Sequence, residues 1–553
     1  MLKRAIIILA LMVTVALPFG LRPKQSAVEK HADDTVVIIT PHNEAIRSEY
    51  AHGFEAWYRA RTGRTVAVDW RVIGGTSDIT RFLASEYVAS FRNLWTGKLG
   101  QPWSIEVQAA FAGARLPSDA SAVAREARQA FLASDVSCGI DVFFGGGSYD
   151  FVGEAQAGRI VPSRVRRTHP EWFSDAVIPQ RFTGEQYWDD EGCWVGNVIS
   201  SYGIIYNTDA LRRLGLKPPL QWSDLADPRY VGTLGLADPT KSSSMAKAFE
   251  NIIQQQIQLF SRKVLEQDVT KRAPTTELER QAQIARQSEI EKECVAEGWK
   301  IGLQVIQRLA ANARYFTDAS QKPPIDVAQG DCAAGICIDF YGRAQAEAVE
   351  KRGAARLGFV TPHGGTVNSV DPIALLRGAP HREAAELFIE YTLTLDGQKL
   401  WNFKPGAVGG PVRYALRRLP VRKDFYEHAE WKSFLSDPDA APFSDPNPLI
   451  YHPAWTSGLF DELRLATRVM GLDTHRELVA AWRAILAAPE PAKSRALAEL
   501  QDLSAVDYGR VTGEIKKALG SKNKVEEVRL ASELGAEFRA RYARAEAIAR
   551  GGN

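Results

Sequence analysis

Repeatedly along this chain a short apolar run stops at glycine, serine or an Asp-Pro corner, and an amphipathic stretch begins at once. "TVVIIT" (Thr35–Thr40) precedes "PHNEAIRSEYAHGFEAWYRARTG", where Ile46, Tyr50, Phe54, Trp57 and Tyr58 recur at helical spacing and Gly63 marks the stop. "TVAVDWRVIGG" leads into "TSDITRFLASE", and "GIDVFFGGGSYDF" ends its apolar run on three glycines and a serine. "SYGIIYNTDALRRLG" and "VGTLGLADPTKSSSMAKAFENII" repeat the plan. Apolar, β-branched runs alternating with helical periods predict an open α/β sheet with crossover helices. The pattern is interrupted by polar, helical stretches at about 86–137 and 254–314, and beyond about Asp437 the strands stop. The tail has Leu530, Leu534, Phe538 and Tyr542 four apart, which predicts a helical appendix.

The 553 residues are enough for several domains and a sizeable core. Lys and Arg number 68 against 66 Asp and Glu, and this balance favours neither nucleic acid nor a polyanionic partner. The first residues carry Lys3 and Arg4, then an apolar run from Ala5 to Leu17, the plan of an export signal. Leu17-Pro18-Phe19-Gly20 is a poor cleavage motif, so residues 1–21 read either as a signal peptide or as an uncleaved N-terminal anchor. Both place the bulk of the chain outside the cytoplasm. Five cysteines are too few for a disulfide scaffold; Cys332 with Cys337 and Cys138 with Cys193 are the candidate pairs, the alternative being buried thiols.

In an open α/β sheet, ligands lie outside the carboxyl ends of the strands. Three corners put glycine or serine there: Gly74-Gly75-Thr76-Ser77, Gly145-Gly146-Gly147-Ser148 and Ser242-Ser243-Ser244. Glycine allows close approach to the backbone, and a helix start offers unpaired N–H groups and a positive dipole end. Three such corners predict a small anionic ligand. His42 and Asn43 follow the first strand toward the same cleft. The chain lacks GxxxxGK[ST], HExxH and GxSxG, and no nucleophile and base stand in a recognisable pattern, so no catalytic residue is assigned.

"TVVIITPHNEAI", "DVFFGGGSYDFVGEAQAGRIVP", "SYGIIYNTDALRRLGLKPPLQWSDLADPRYVGTLGLADPTKSSS" and "DPIALLRGAPHREAAELFIEYTLTLDGQKLW" together resemble the extracellular solute-binding proteins of ABC importers, nearest the ferric-iron-binding, transferrin-like group. The resemblance implies a two-lobed periplasmic-binding-protein fold with an interlobe cleft, plus helical insertions and a helical C-terminal extension. Lobe 1 is expected at 34–200 and 353–425, lobe 2 at 201–352 and the extension at 437–553. Crossing strands are expected near 202–207 and 353–361. The implied function is capture of a solute for an ABC permease in the inner membrane; the alternative is a solute sensor or scaffold subunit of an envelope complex. Iron-binding members hold the metal with a histidine after the first strand, a carboxylate after the "DVF" strand and two adjacent tyrosines. His42 matches the first, the carboxylate position falls in Gly145-Gly146-Gly147, and the tyrosine pair becomes Phe340-Tyr341. The implied metal ligands are therefore His42 and Tyr341, with Asp339 alternating with Phe340 along a strand as a substitute. Fe³⁺ with a synergistic anion is one expectation. An organic anion (phosphonate, phosphate ester or carboxylate) suits the Gly/Ser corners better.

Overall fold

The computed structural model describes residues 32–552 apart from 114–115, 268–276, 351–352, 354, 446 and 522; the leader at 1–21 lies outside them. Fourteen strands are described, in chain order: β1 Asp34–Ile39, β2 Val66–Arg71, β3 Val142–Phe144, β4 Ile160–Val161, β5 Arg181–Phe182, β6 Glu185–Gln186, β7 Trp194–Ser200, β8 Tyr202–Asn207, β9 Leu234–Ala237, β10 Ala313–Thr317, β11 Ala334–Ile338, β12 Leu357–Val360, β13 Ser369–Leu376 and β14 Leu419–Pro420. They form two principal sheets. The first runs β14-β7-β13-β3-β1-β2, with β4 pairing β13; the second runs β10-β9-β11-β8-β12. In the first, β1 lies parallel to β2 and β3, while β13 is antiparallel to β3 and β7. The β5-β6 hairpin attaches to lobe 1 through its backbone bonds beside β7.

The chain passes from lobe 1 to lobe 2 at Ser201, between β7 and β8, and returns between β12 and β13. Two sheets joined by two crossings make the two-lobed architecture that the resemblance implies. Strands such as β1 and β7 are buried almost throughout because helices cover both faces of each sheet, so they read as continuous apolar runs.

Helices begin where the sequence offers caps. In α1 (Glu44–Thr62) the Asn43 side chain accepts from Ile46 N, and Gly63 ends it at φ 73°. α2 (Thr76–Arg92) and α3 (Ser148–Ala157) start from Gly75 and Gly147. On lobe 2, α4 (Ser243–Gln267) and α5 (Glu277–Asn312) form a long helical hairpin, and α6 (Asp339–Glu350) follows β11. From Pro453 onward most described residues are helical, including α7 (Phe460–Thr467) and α8 (Lys524–Ala549), in which Leu530, Leu534, Phe538 and Tyr542 are buried. This extension is rooted on the hairpin: Trp299 Nε1 donates to Val506 O at 3.0 Å and Gln307 Nε2 to Leu500 O at 2.8 Å.

Two sequence expectations are corrected here. Asp339 and Phe340 do not alternate on a strand; β11 ends at Ile338 and Asp339 opens α6. All five cysteines are free. Cys332 and Cys337 are buried thiols in one small core cluster, and Cys337 lies in strand β11. Among the described residues no helix is long and apolar enough to cross a membrane.

Candidate functional site

The glycine triplet after β3 is where the two lobes converge. Gly145 and Gly146 have φ of 86° and 126°, conformations that side chains rarely adopt. A Cβ on Gly145 would collide with the His42 ring, and one on Gly146 would stand 2.6 Å from Thr76 Cγ2. A Cβ on Gly147 would sit 3.5 Å from both Asp150 Oδ2 and Ser243 Cβ. Three consecutive residues therefore face His42, then Thr76, then lobe 2. Gly75, at the neighbouring corner, also meets lobe 2, since a Cβ there would stand 2.9 Å from Lys241 O.

At the outer end, serines from opposite lobes share one guanidinium. Arg464 Nη2, from α7 in the extension, donates to Ser243 Oγ at 2.9 Å and to Ser77 Oγ at 3.3 Å. Ser243 Oγ in turn donates to Asp150 Oδ2 at 2.8 Å. Burial pushes the Asp150 carboxyl up and the Arg464 charge pulls it back. Ser242, not Ser243, caps α4, accepting from Met245 N at 3.2 Å.

At the inner end lies a fully buried arginine. Arg418 Nη1 pairs with Asp371 Oδ2 at 2.7 Å and Nη2 donates to Ser200 Oγ, which itself donates to Asp371 Oδ1 at 2.7 Å. The guanidinium lies over the Phe340 ring at 4.6 Å and the Trp401 ring at 5.4 Å, and its Nε has no partner. His42 packs edge-on to Phe144 at 4.8 Å and Trp401 at 5.9 Å, and its Nε2 also has no partner. Burial, then the Arg418 charge, lowers the His42 imidazole to about 3. Asp339 Oδ2 accepts from Arg343 Nη2 at 2.7 Å while its buried Oδ1 is unpartnered. Burial raises the Tyr341 phenol to about 12 although Arg418 pulls it down. Buried polar atoms of this kind carry a desolvation cost that a hydrogen-bonding ligand relieves.

Of the residues that the sequence singles out, Ser77 and Ser243 meet directly, with Thr76 and Gly146 packed beside them. His42, Asp339 and Tyr341 gather round Arg418, linked to the outer end through Gly145. Ser148 opens α3 and Ser244 lies in the first turn of α4, both half-buried. Asn43 and Ser242 are helix caps, which accounts for them without a ligand. Sequence reasoning missed Arg418, Asp371, Ser200, Asp150 and Arg464. Arg418, Asp371 and Arg464 join the site from far along the chain, Arg464 lying 221 residues from Ser243, and no local spacing signals them; Asp150 lies two residues after Ser148 in the triple-glycine corner.

The ferric ligand set that the resemblance implies is incomplete here. A ferric ion needs several anionic oxygens, whereas here Phe340 replaces one tyrosine of the implied pair and the Arg418 cation stands beside Tyr341. The missing carboxylate could not be restored at Gly145, where any side chain meets His42. Among the described residues no group of three His, Cys, Asp or Glu side chains is placed to hold a metal.

Comparison with known proteins finds a family match over part of the chain. Residues 173–420 match the family described as bacterial extracellular solute-binding protein. A Haemophilus influenzae protein described as uncharacterized is 25% identical over 264 residues, 47% of this chain and 60% of that protein. The phosphoglycerate transport regulatory protein PgtC of Salmonella typhimurium is 22% identical over 209 residues, 37% of this chain. The matches span 60% and 40% of these relatives' own length. Among solved structures, the periplasmic binding protein AfuA from Actinobacillus pleuropneumoniae has a TM-score of 0.48 at 17% identity, covering 82% of this chain and 98% of that one. Iron-bound HitA from Pseudomonas aeruginosa has a TM-score of 0.43 at 17% identity, covering 79% and 99%. Over residues 173–420 this chain thus matches the family of bacterial extracellular solute-binding proteins, the group that its sequence resembles.

Proposed function

We propose that the protein is the extracytoplasmic receptor of an ABC importer and that it captures a small hydroxylated organic anion, a phosphate ester or polar carboxylate, for a membrane permease. The observation that carries this reading is the buried Arg418. Its Nε is unpartnered, and His42 Nε2 and Asp339 Oδ1, close by, are unpartnered too. A guanidinium suits the anionic group, while a carboxylate oxygen accepts from hydroxyls of the same solute. Ser77 and Ser243 extend the polar surface across both lobes. Similarity to a phosphoglycerate transport protein supports the phosphate-ester class, and the family supports binding rather than catalysis. Fe³⁺ is the less favoured cargo for want of anionic oxygens. The regulatory wording of that relative's name favours a sensor as the second reading, and dependence of solute uptake on this protein separates the two.

The test is a thermal-shift and calorimetric screen of phosphonates, glycerol and sugar phosphates, carboxylates and ferric citrate. Ser243→Ala should weaken binding about tenfold, the equivalent of one hydrogen bond to a charged partner. Ser242→Ala should cost about 1 kcal/mol of stability through the lost cap and spare affinity. Equal affinity in wild type and S243A would remove Ser243 from the site, and no binding by any compound would sink the reading.

A further inference from the structure

The C-terminal extension touches both lobes at the places where a hinge would have to open. Tyr451 spans them alone: its backbone N donates to Thr183 O of the β5-β6 hairpin at 2.7 Å, and its hydroxyl donates to Glu250 Oε1 of α4 at 2.7 Å. Gly184, at φ 86°, lets the hairpin approach so closely that any side chain there would collide with Tyr451 O. Under the Tyr451 ring, 3.8 Å from its centroid, Lys247 Nζ joins Glu185 Oε1 of lobe 1 at 2.7 Å and Glu250 Oε2 of lobe 2 at 2.8 Å. Thr456 Oγ1 adds a bond to Glu250 Oε1 at 2.6 Å. The other end of this segment is held as well.

That other end is α7. Phe460 packs on Tyr149 of lobe 1 with ring centroids 4.5 Å apart, and Arg464 holds Ser77 of lobe 1 and Ser243 of lobe 2 together. The returning crossing is also held, since Asn368 Nδ2 donates to Pro442 O at 2.7 Å. In a two-lobed receptor governed by its solute, the contacts that favour closure come from the solute, and the empty protein populates the open form. Here the same-chain extension itself supplies contacts to both lobes.

We propose that residues 451–467 are a clasp that holds the two lobes closed before solute binds, so that solute exchange requires this segment to lift. The proposal does not depend on which solute is captured. It is distinct from a docking role for the extension, because the contacts are to the chain's own lobes.

The experiment measures an interlobe distance by double electron–electron resonance. Spin labels are placed at Glu55 of α1 and Lys217 of lobe 2, both exposed, in a full-length chain with Cys138 and Cys193 replaced by serine. The protein is refolded from guanidinium and verified empty by native mass spectrometry. The empty wild type should give one distance, and Phe460→Ala combined with Arg464→Gln should add a second, longer one. An empty wild type that already populates a longer distance overturns the clasp, whether or not the variant folds. So does a folded variant that keeps the single distance.

Discussion

Glu49 holds three consecutive backbone N–H groups, those of Val412, Arg413 and Tyr414, at 2.6, 2.8 and 2.8 Å. A buried carboxylate in a nest of amides ties α1 to a segment more than 360 residues away. Glu49→Gln keeps the shape but loses the charge and one acceptor, and should cost about 1.5–3 kcal/mol by denaturant midpoint. His42 makes a second residue-scale prediction. Its folded value of about 3 lies below its ordinary value of 6.5, so the unfolded chain takes up the proton first as pH falls. Its contribution to stability is full above about 6.5 and is lost progressively between there and about 3. A chemically unfolded series from pH 7 to 4 should therefore show a shallower decline for His42→Gln than for wild type. Equal slopes would place the destabilising protonation elsewhere. His42 was legible from its place after the first strand. Arg418 was not, because nothing in "RYALRRLP" distinguishes the one arginine that lies fully buried against Phe340 and Trp401 from Arg413 and Arg417.

Among the elements, those set by short-range pattern were legible: β1 with α1, the triple-glycine corner and the serine-started α4. Asp339 was misplaced because a strand-to-helix junction within "GICIDFYGRA" leaves no breaker residue to mark it. The α4–α5 hairpin depends on close helix contact that composition alone does not reveal. A Cβ on Gly302 would stand 2.8 Å from Ile253 Cα, and one on Gly298 would collide with Ile257 Cα. Ala for Gly ordinarily favours a helix by roughly 0.8–1 kcal/mol. Here the collision with backbone should win, so Gly298→Ala and Gly302→Ala should each lower stability by about 1–3 kcal/mol, the range for overpacking. Raised melting temperatures would show that the helices can part without cost.

On the scale of the whole molecule, the resemblance implied the two-lobed fold, while the strand order of the two sheets comes from the structure. The extension did not disclose its role, because its apolar spacing announces helices and says nothing of which surface they cover. Only the fold brings Phe460 to Tyr149 and Arg464 to Ser243. The account rests on one claim: that a single solute binds between the lobes against Arg418. Titration calorimetry of hydroxylated phosphate esters and carboxylates into wild type and Arg418→Lys tests it most directly. Lysine keeps the charge but loses the fork of donors. The account predicts one-to-one binding by wild type to at least one of these anions, weakened at least tenfold in a folded R418K protein. Binding of equal strength in both proteins would contradict it.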